Sequence, residues 1–122
     1  MVLSILFILY TLNNLAFGLG AIFVPGRMMP NSNDLSPLGL NLLQGLGAIA
    51  VATGILAWLA RSITDVPALK AITLTFVVAT LLTAVVNALA VRSGARPTSQ
   101  WIFVGVDVAF ALAFAYFRFF GL

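Results

Sequence analysis

The sequence contains no cysteine, no histidine and no glutamate. Without cysteine, the chain cannot form disulfides or thiolate metal centres. Without histidine, it lacks the commonest ligand of zinc and haem iron and the usual general base near neutral pH. The only acids are three aspartates, and 7% of all residues are charged. We therefore expect neither an enzyme nor a metal site, and no residue identifies a cofactor.

Apolar residues are the feature that the sequence has in excess. They make up 62% of 122 residues, whereas about 45–50% is usual in soluble domains. A small soluble domain would need a far more polar surface than these residues can supply. The net charge of +3 comes from six scattered bases, which form no basic stripe for nucleic acid. The sequence therefore predicts a protein whose surface faces the lipid bilayer.

Four stretches are long and apolar enough to cross a membrane, which takes about 20 residues. They are Val2–Val24, Leu38–Ala60, Pro67–Val91 and Ser99–Phe120. Because backbone groups in lipid must be satisfied within each segment, we expect helices rather than open sheet. The prediction is an all-α fold, a single transmembrane domain over residues 1–122, in which four antiparallel up-down spans form a bundle.

The ends of the spans carry recognisable signals. Thr64 and Asp65 are placed to cap the third span, and Thr98 or Ser99 to cap the fourth. The first connection, Pro25–Pro37, is dense in prolines and turn formers. It is the only connection with room for a site.

The positive-inside rule does not decide the orientation of the spans, because basic residues are equally numerous on the two sides. The side of the termini has Arg61, Lys70 and Arg118, and the opposite side has Arg27, Arg92 and Arg96. The free amino terminus and the short loop after Arg61 favour both termini in the cytoplasm. The abundance of alanine and glycine and the preference for arginine over lysine suit a bacterial cytoplasmic (inner) membrane.

Polar side chains inside the spans are the strongest functional signal, since they are costly in lipid. They are Asn13, Asn14, Gln44, Asn87 and Asp107. At 1.5 Å per residue, they lie about 7–15 Å from one membrane face, which predicts an intramembrane polar cluster. Two interpretations of Asp107 stay open: a hydrogen-bonded group that fixes helix register with Asn87 and Gln44, or a proton- or cation-exchanging site.

Small residues and aromatic residues mark different helix faces. Small residues that would allow close helix packing are Gly47, Gly54, Gly105, Ala109 and Ala113. Phenylalanines at helical spacing in the fourth span are Phe103, Phe110, Phe114 and Phe117. We expect these rings to face lipid or a partner, with a groove for a hydrophobic ligand (lipid, quinone or pigment) as the alternative.

The run from Leu42 to Arg61 resembles the second span of small bacterial four-helix membrane proteins of unknown function that are loosely DoxX-like. The resemblance extends to a first span closing at Phe23-Val24-Pro25 and to a final span rich in alanine and phenylalanine. Those relatives often have a basic residue near the position of Gln44, which this chain lacks. Small multidrug exporters are similar in outline, but they have an essential glutamate where this chain has Asn13 and Asn14.

Two classes of function follow from these patterns. The first is a non-enzymatic accessory or scaffold subunit that packs through its helices against other transmembrane subunits or against a second copy of itself. The second is a small ion- or proton-coupled transporter or channel that uses Asp107 with Asn14, Gln44 and Asn87.

Overall fold

The computed structural model describes residues 2–28, 36–94, 96 and 98–122, and of Arg27 and Met28 the backbone alone. The described part is all-α, as predicted, and contains no strand. In chain order the elements are α1 (Val2–Phe23), the short α2 (Pro25–Met28), α3 (Pro37–Ala60), α4 (Val66–Arg92), a 3-10 turn (Thr98–Gln100), α5 (Trp101–Tyr116) and a π-helical turn (Phe117–Gly121).

Four segments of the described chain are long and apolar enough to span a membrane. They are Val2–Phe23, Pro37–Ala60, Val66–Arg92 and Thr98–Gly121, and each matches the bounds of a predicted span to within one residue at either end. The protein is therefore a small polytopic membrane protein in contact with the lipid bilayer. Most of the predicted first connection, residues 29–35 with Asp34, lies outside the described residues.

The chain forms two compact units, Met1–Ser62 and Ile63–Leu122. In the first unit, α1 and α3 are antiparallel: Thr11 Oγ1 donates to the Gly54 carbonyl at 3.1 Å, and Gln44 Nε2 donates to the Ile22 carbonyl at 3.2 Å. Between these two bonds the helices cross at Gly18 and Gly47. Hydrogen bonds on both sides of the crossing thus fix the register of α3 on α1.

The crossing at Gly18 and Gly47 leaves no room for a side chain. A Cβ added at Gly18 would lie 2.6 Å from the Gly47 carbonyl oxygen, and one added at Gly47 would lie 2.7 Å from the Gly18 carbonyl oxygen. Helices that associate in lipid gain from such close backbone contact, because burial of apolar surface gives no advantage over contact with acyl chains. Glycine at both positions therefore sets the distance between α1 and α3.

In the second unit, α4 packs antiparallel against α5 around aromatic rings. The Phe76 and Phe114 ring centroids are 5.2 Å apart at 59°, a tilted geometry typical of favourable aromatic pairs. Both side chains are buried, as are Thr73 and Thr80 on α4. These threonines satisfy their hydroxyls on carbonyls of their own helix, so they leave no unpaired polar group in the packed face.

The start of α4 agrees with the capping signals in the sequence, and the start of α5 does not. The Asp65 carboxylate accepts from the Ala68 N–H at 2.9 Å and caps α4, as predicted. The predicted caps of the fourth span, Thr98 and Ser99, are wrong: they lie within the 3-10 turn, and α5 starts after Gln100 without a side-chain cap. The tighter turn provides the first helical hydrogen bonds instead.

Candidate functional site

The second unit holds a chain of three polar side chains that joins α4, α5 and the segment between them. Asn87 Nδ2 donates to Asp107 Oδ2 at 3.0 Å. Arg96 Nη1 donates to Asn87 Oδ1 at 2.8 Å. The carboxylate can only accept when ionised and the guanidinium can only donate, so the Asn87 amide links them in one defined orientation.

The segment after α4 brings Arg96 back to the helix that it has just left. Ser93 ends α4, and Gly94 follows with φ of +85°, a left-handed conformation that favours glycine. The Arg96 N–H then donates to the Ala90 carbonyl at 3.2 Å. Because this turn reverses the chain, the Arg96 side chain can reach Asn87 nine residues earlier.

The charges of this site compensate each other. Burial lowers the pKa of the Arg96 guanidinium, and the negative charge of Asp107 acts in the opposite direction. An arginine stays protonated even after such a shift. The site therefore carries one permanent positive charge near a carboxylate, and Asn87 forms a hydrogen bond with each of the two groups.

The chemical repertoire of this arrangement is narrow. The described residues contain no group of three or more Asp, Glu, His or Cys side chains that could hold a metal ion. Asp107 already accepts from an amide, and the nearby positive charge of Arg96 opposes the binding of a cation. The geometry is well suited to holding the ends of α4 and α5 together.

The polar residues of the first unit make separate hydrogen bonds. Asn14 Nδ2 donates to the Tyr10 carbonyl of its own helix at 2.9 Å, and Gln44 donates across to α1. Asn13 is exposed, since successive helical residues point about 100° apart, and its place in the predicted polar cluster stays a prediction. A meeting of Asn14 and Gln44 with Asp107 stays a prediction.

The predicted small residues divide into two groups. Gly47 and Gly54 are buried where α3 packs on α1. Gly105 and Ala109 are exposed, and a Cβ at Gly105 would meet no atom within 4 Å. Gly105 lies two residues from Asp107 and so points away from α4, and the role of Gly105 and Ala109 in helix packing stays a prediction.

Ala113 departs from the same ridge. It is half-buried, whereas Leu112 and Tyr116 are exposed. Strict four-residue steps drift about 40° per step around a helix with 3.6 residues per turn. The exposed face of α5 therefore follows Gly105, Ala109, Leu112 and Tyr116 rather than continuing through Ala113.

The predicted phenylalanine face also needs correction. Phe103 is exposed, as expected of a lipid- or partner-facing ring, and Phe110 and Phe117 are half-buried. Phe114 is fully buried, so its predicted outward orientation is wrong. It follows Asp107 by seven residues, about two helical turns, and so lies on the same side of α5 as Asp107.

Arg96 is the site residue that the sequence pattern does not indicate, since it lies between two predicted spans. One signal was present: Ser93 and Gly94 directly after a span favour a helix end that reverses the chain. A reversed chain brings a long basic side chain within reach of the polar residues of the preceding turns.

No family model, curated protein or solved structure matches the chain.

Proposed function

We propose that this protein is a non-enzymatic scaffold or accessory subunit of a membrane assembly, and that the exposed face of α5 is its association surface. The observation that supports this proposal is the open space at Gly105, where an added Cβ would meet nothing. The buried glycines of the first unit, Gly18 and Gly47, are by contrast in contact with a neighbouring helix.

Small residues on an exposed face have a physical use in lipid. Glycine and alanine let two helix backbones approach closely, and close approach is a main source of association energy between transmembrane helices. Gly105 and Ala109 are one turn apart on the exposed face, and the larger Leu112 and Tyr116 continue it. A partner helix, from another subunit or a second copy, fits against such a face.

Photocrosslinking from α5 tests this proposal. The chain has no cysteine, so a Leu112→Cys variant labelled with a benzophenone maleimide reports only what contacts this face in native membranes. The control is Leu89→Cys, an exposed position on α4. We expect a protein adduct of defined mass from position 112 and none from position 89.

A second substitution makes the test specific. Gly105→Leu fills the open face and should abolish the adduct from position 112, whereas Gly45→Leu, at an exposed α3 glycine, should leave it. Lipid adducts alone from both labelled positions, or an adduct insensitive to Gly105→Leu, would contradict the proposal. An adduct with a second copy identifies a homo-oligomer, and an adduct with another protein identifies an accessory subunit.

A small ion- or proton-coupled transporter is the second candidate, and the half-buried carboxylate of Asp107 within a span favours it. In that case, Asp107→Asn should abolish pH-dependent ion flux in proteoliposomes of the purified protein. The scaffold proposal expects no protein-dependent flux from either the natural chain or the variant. A flux that the variant abolishes would replace the first candidate by the second.

A further inference from the structure

The end of α3 carries an arginine that is held in one orientation. The Arg61 guanidinium carbon lies 3.5 Å from the centroid of the Trp58 ring, and Arg61 Nε donates to the Trp58 carbonyl at 3.1 Å. Stacking on an indole face is the strongest form of cation–π contact. Two contacts to one residue therefore fix the plane of the guanidinium.

This arrangement leaves the outer edge of the guanidinium available. Arginine has five N–H donors, and the bond from Nε uses one of them. In the described part of the chain, no carboxylate forms an ion pair with Arg61 and no other acceptor meets its Nη groups. Two parallel donors in a fixed plane match the oxygens of a phosphate, which arginine binds in bidentate fashion.

The position of Arg61 places these donors at the level of lipid headgroups. Arg61 directly follows α3, a helix of 24 residues, which at 1.5 Å per residue exceeds the roughly 30 Å of a bilayer core. Trp58 is 48% exposed, as is common for tryptophan at membrane interfaces. The stacked pair therefore faces the surrounding lipid.

The helix end itself would ordinarily repel an anion, because its last carbonyls carry partial negative charge. Here two of those carbonyls already accept side-chain hydrogen bonds. The Trp58 carbonyl accepts from Arg61, and the Leu59 carbonyl accepts from Ser62 Oγ at 2.9 Å. This capping reduces the repulsion between the helix end and an anion.

We propose that Arg61 and Trp58 form a binding site for the phosphate of an anionic phospholipid, with the Arg61 Nη groups on the phosphate oxygens and the Trp58 ring against the glycerol and upper acyl chain. Phosphatidylglycerol is a suitable probe, because its phosphate carries the only charge of its headgroup. This site is independent of the association surface on α5.

Tryptophan fluorescence tests the site directly, since the chain has two tryptophans and Trp101→Phe leaves Trp58 as the sole reporter. The protein is reconstituted in phosphatidylcholine vesicles with a minor fraction of phosphatidylglycerol, and bromine quencher is placed on the acyl chains of either lipid. We expect phosphatidylglycerol to be preferred at Trp58 about fivefold, which corresponds to about 1 kcal/mol, the net contribution of about one hydrogen bond.

Three variants separate the stacked site from charge alone. Arg61→Gln should bring the preference to about one, and Arg61→Lys should lose more than half of it, because lysine lacks the planar fork. Lys70→Gln removes a base that the order of the spans places on the same membrane side as Arg61, and it should leave the preference unchanged. A matching unfolding midpoint in SDS shows that each variant is folded.

Several results would overturn the proposal. One is equal quenching by both lipids in the natural protein. The others are a preference for phosphatidylglycerol that survives Arg61→Gln, and an undiminished preference in Arg61→Lys. Inorganic phosphate added to the vesicles should not reduce the preference. If it does, the site binds free phosphate rather than lipid.

Discussion

Replacing Gly47 by alanine should force α1 and α3 apart. The new Cβ would lie 2.7 Å from the Gly18 carbonyl oxygen and 2.9 Å from the Ala21 Cβ, whereas favourable carbon–carbon contacts lie at about 3.5–4.0 Å. Neither neighbour can rotate away, because one is backbone and the other is a Cβ. The helices must therefore separate by about 0.6–1 Å, judged from that optimum.

The expected cost can be isolated with a matched substitution in the same helix. Overpacking of this kind typically destabilises a protein by about 1–3 kcal/mol. Alanine also has a higher helix propensity than glycine, which stabilises the helix by up to about 1 kcal/mol. Gly45→Ala gains the same propensity in open space, since nothing lies within 4 Å of its Cβ. The difference between the two variants should therefore be about 1–3 kcal/mol in the free energy of unfolding.

Reversible unfolding in SDS-containing mixed micelles measures this difference. The fluorescence of Trp58, which lies on α3, reports unfolding of the first unit in a Trp101→Phe background. Gly47→Ala should unfold at a lower SDS fraction than the natural chain, and Gly45→Ala at an equal or higher one. Equal stability of the two variants would refute the close crossing of α1 and α3.

Three further predictions use SDS unfolding, followed by Trp58 in a Trp101→Phe background for the first unit and by Trp101 in a Trp58→Phe background for the second unit. Phe114→Ala should destabilise the second unit by about 3 kcal/mol because it opens a cavity beside a buried ring. Phe103→Ala, at an exposed position, should change stability little. Similar losses in the two variants would place Phe114 outside the core. Gly94→Ala should lower the free energy of unfolding by about 1 kcal/mol because the φ of Gly94 is left-handed, and Gly94→Asn should lower it less. Equal stability of the natural chain and both variants would argue against this turn. Thr11→Val should lower the free energy of unfolding by about 0.6 kcal/mol, the average for a hydrogen bond between membrane helices. Thr53→Val should lower it less, because the Thr53 hydroxyl bonds within its own helix. A reversed order would contradict the bond between α1 and α3.

Much of the architecture could be predicted because lipid imposes simple rules. A run of about 20 apolar residues has few structural options in a bilayer, so the four spans follow from the sequence alone. Small residues such as Gly47 and Gly54 lie where helices meet, because only they permit close approach. The pairing of Asn87 with Asp107 follows from the cost of leaving either group unsatisfied in a span.

Other features depend on geometry that sequence spacing does not determine. The return of Arg96 to Asn87 requires the left-handed turn at Gly94, and a sequence shows the glycine but not its φ. Phe114 belongs by spacing both to the phenylalanine face and to the face of Asp107, and packing against Phe76 decides between them. Gly105 is typical of a packing residue by type, yet within this chain it lies open.

The site depends most directly on the hydrogen bond that holds Asp107 to Asn87 within one helix pair. A double-mutant cycle with Asn87→Leu and Asp107→Leu measures this coupling through SDS unfolding of the two single variants, the double variant and the natural chain. Loss of either residue leaves the other polar group without its hydrogen-bond partner, so we expect a coupling free energy of about 1 kcal/mol, within the range found between membrane helices. Additive effects of the two substitutions would contradict it.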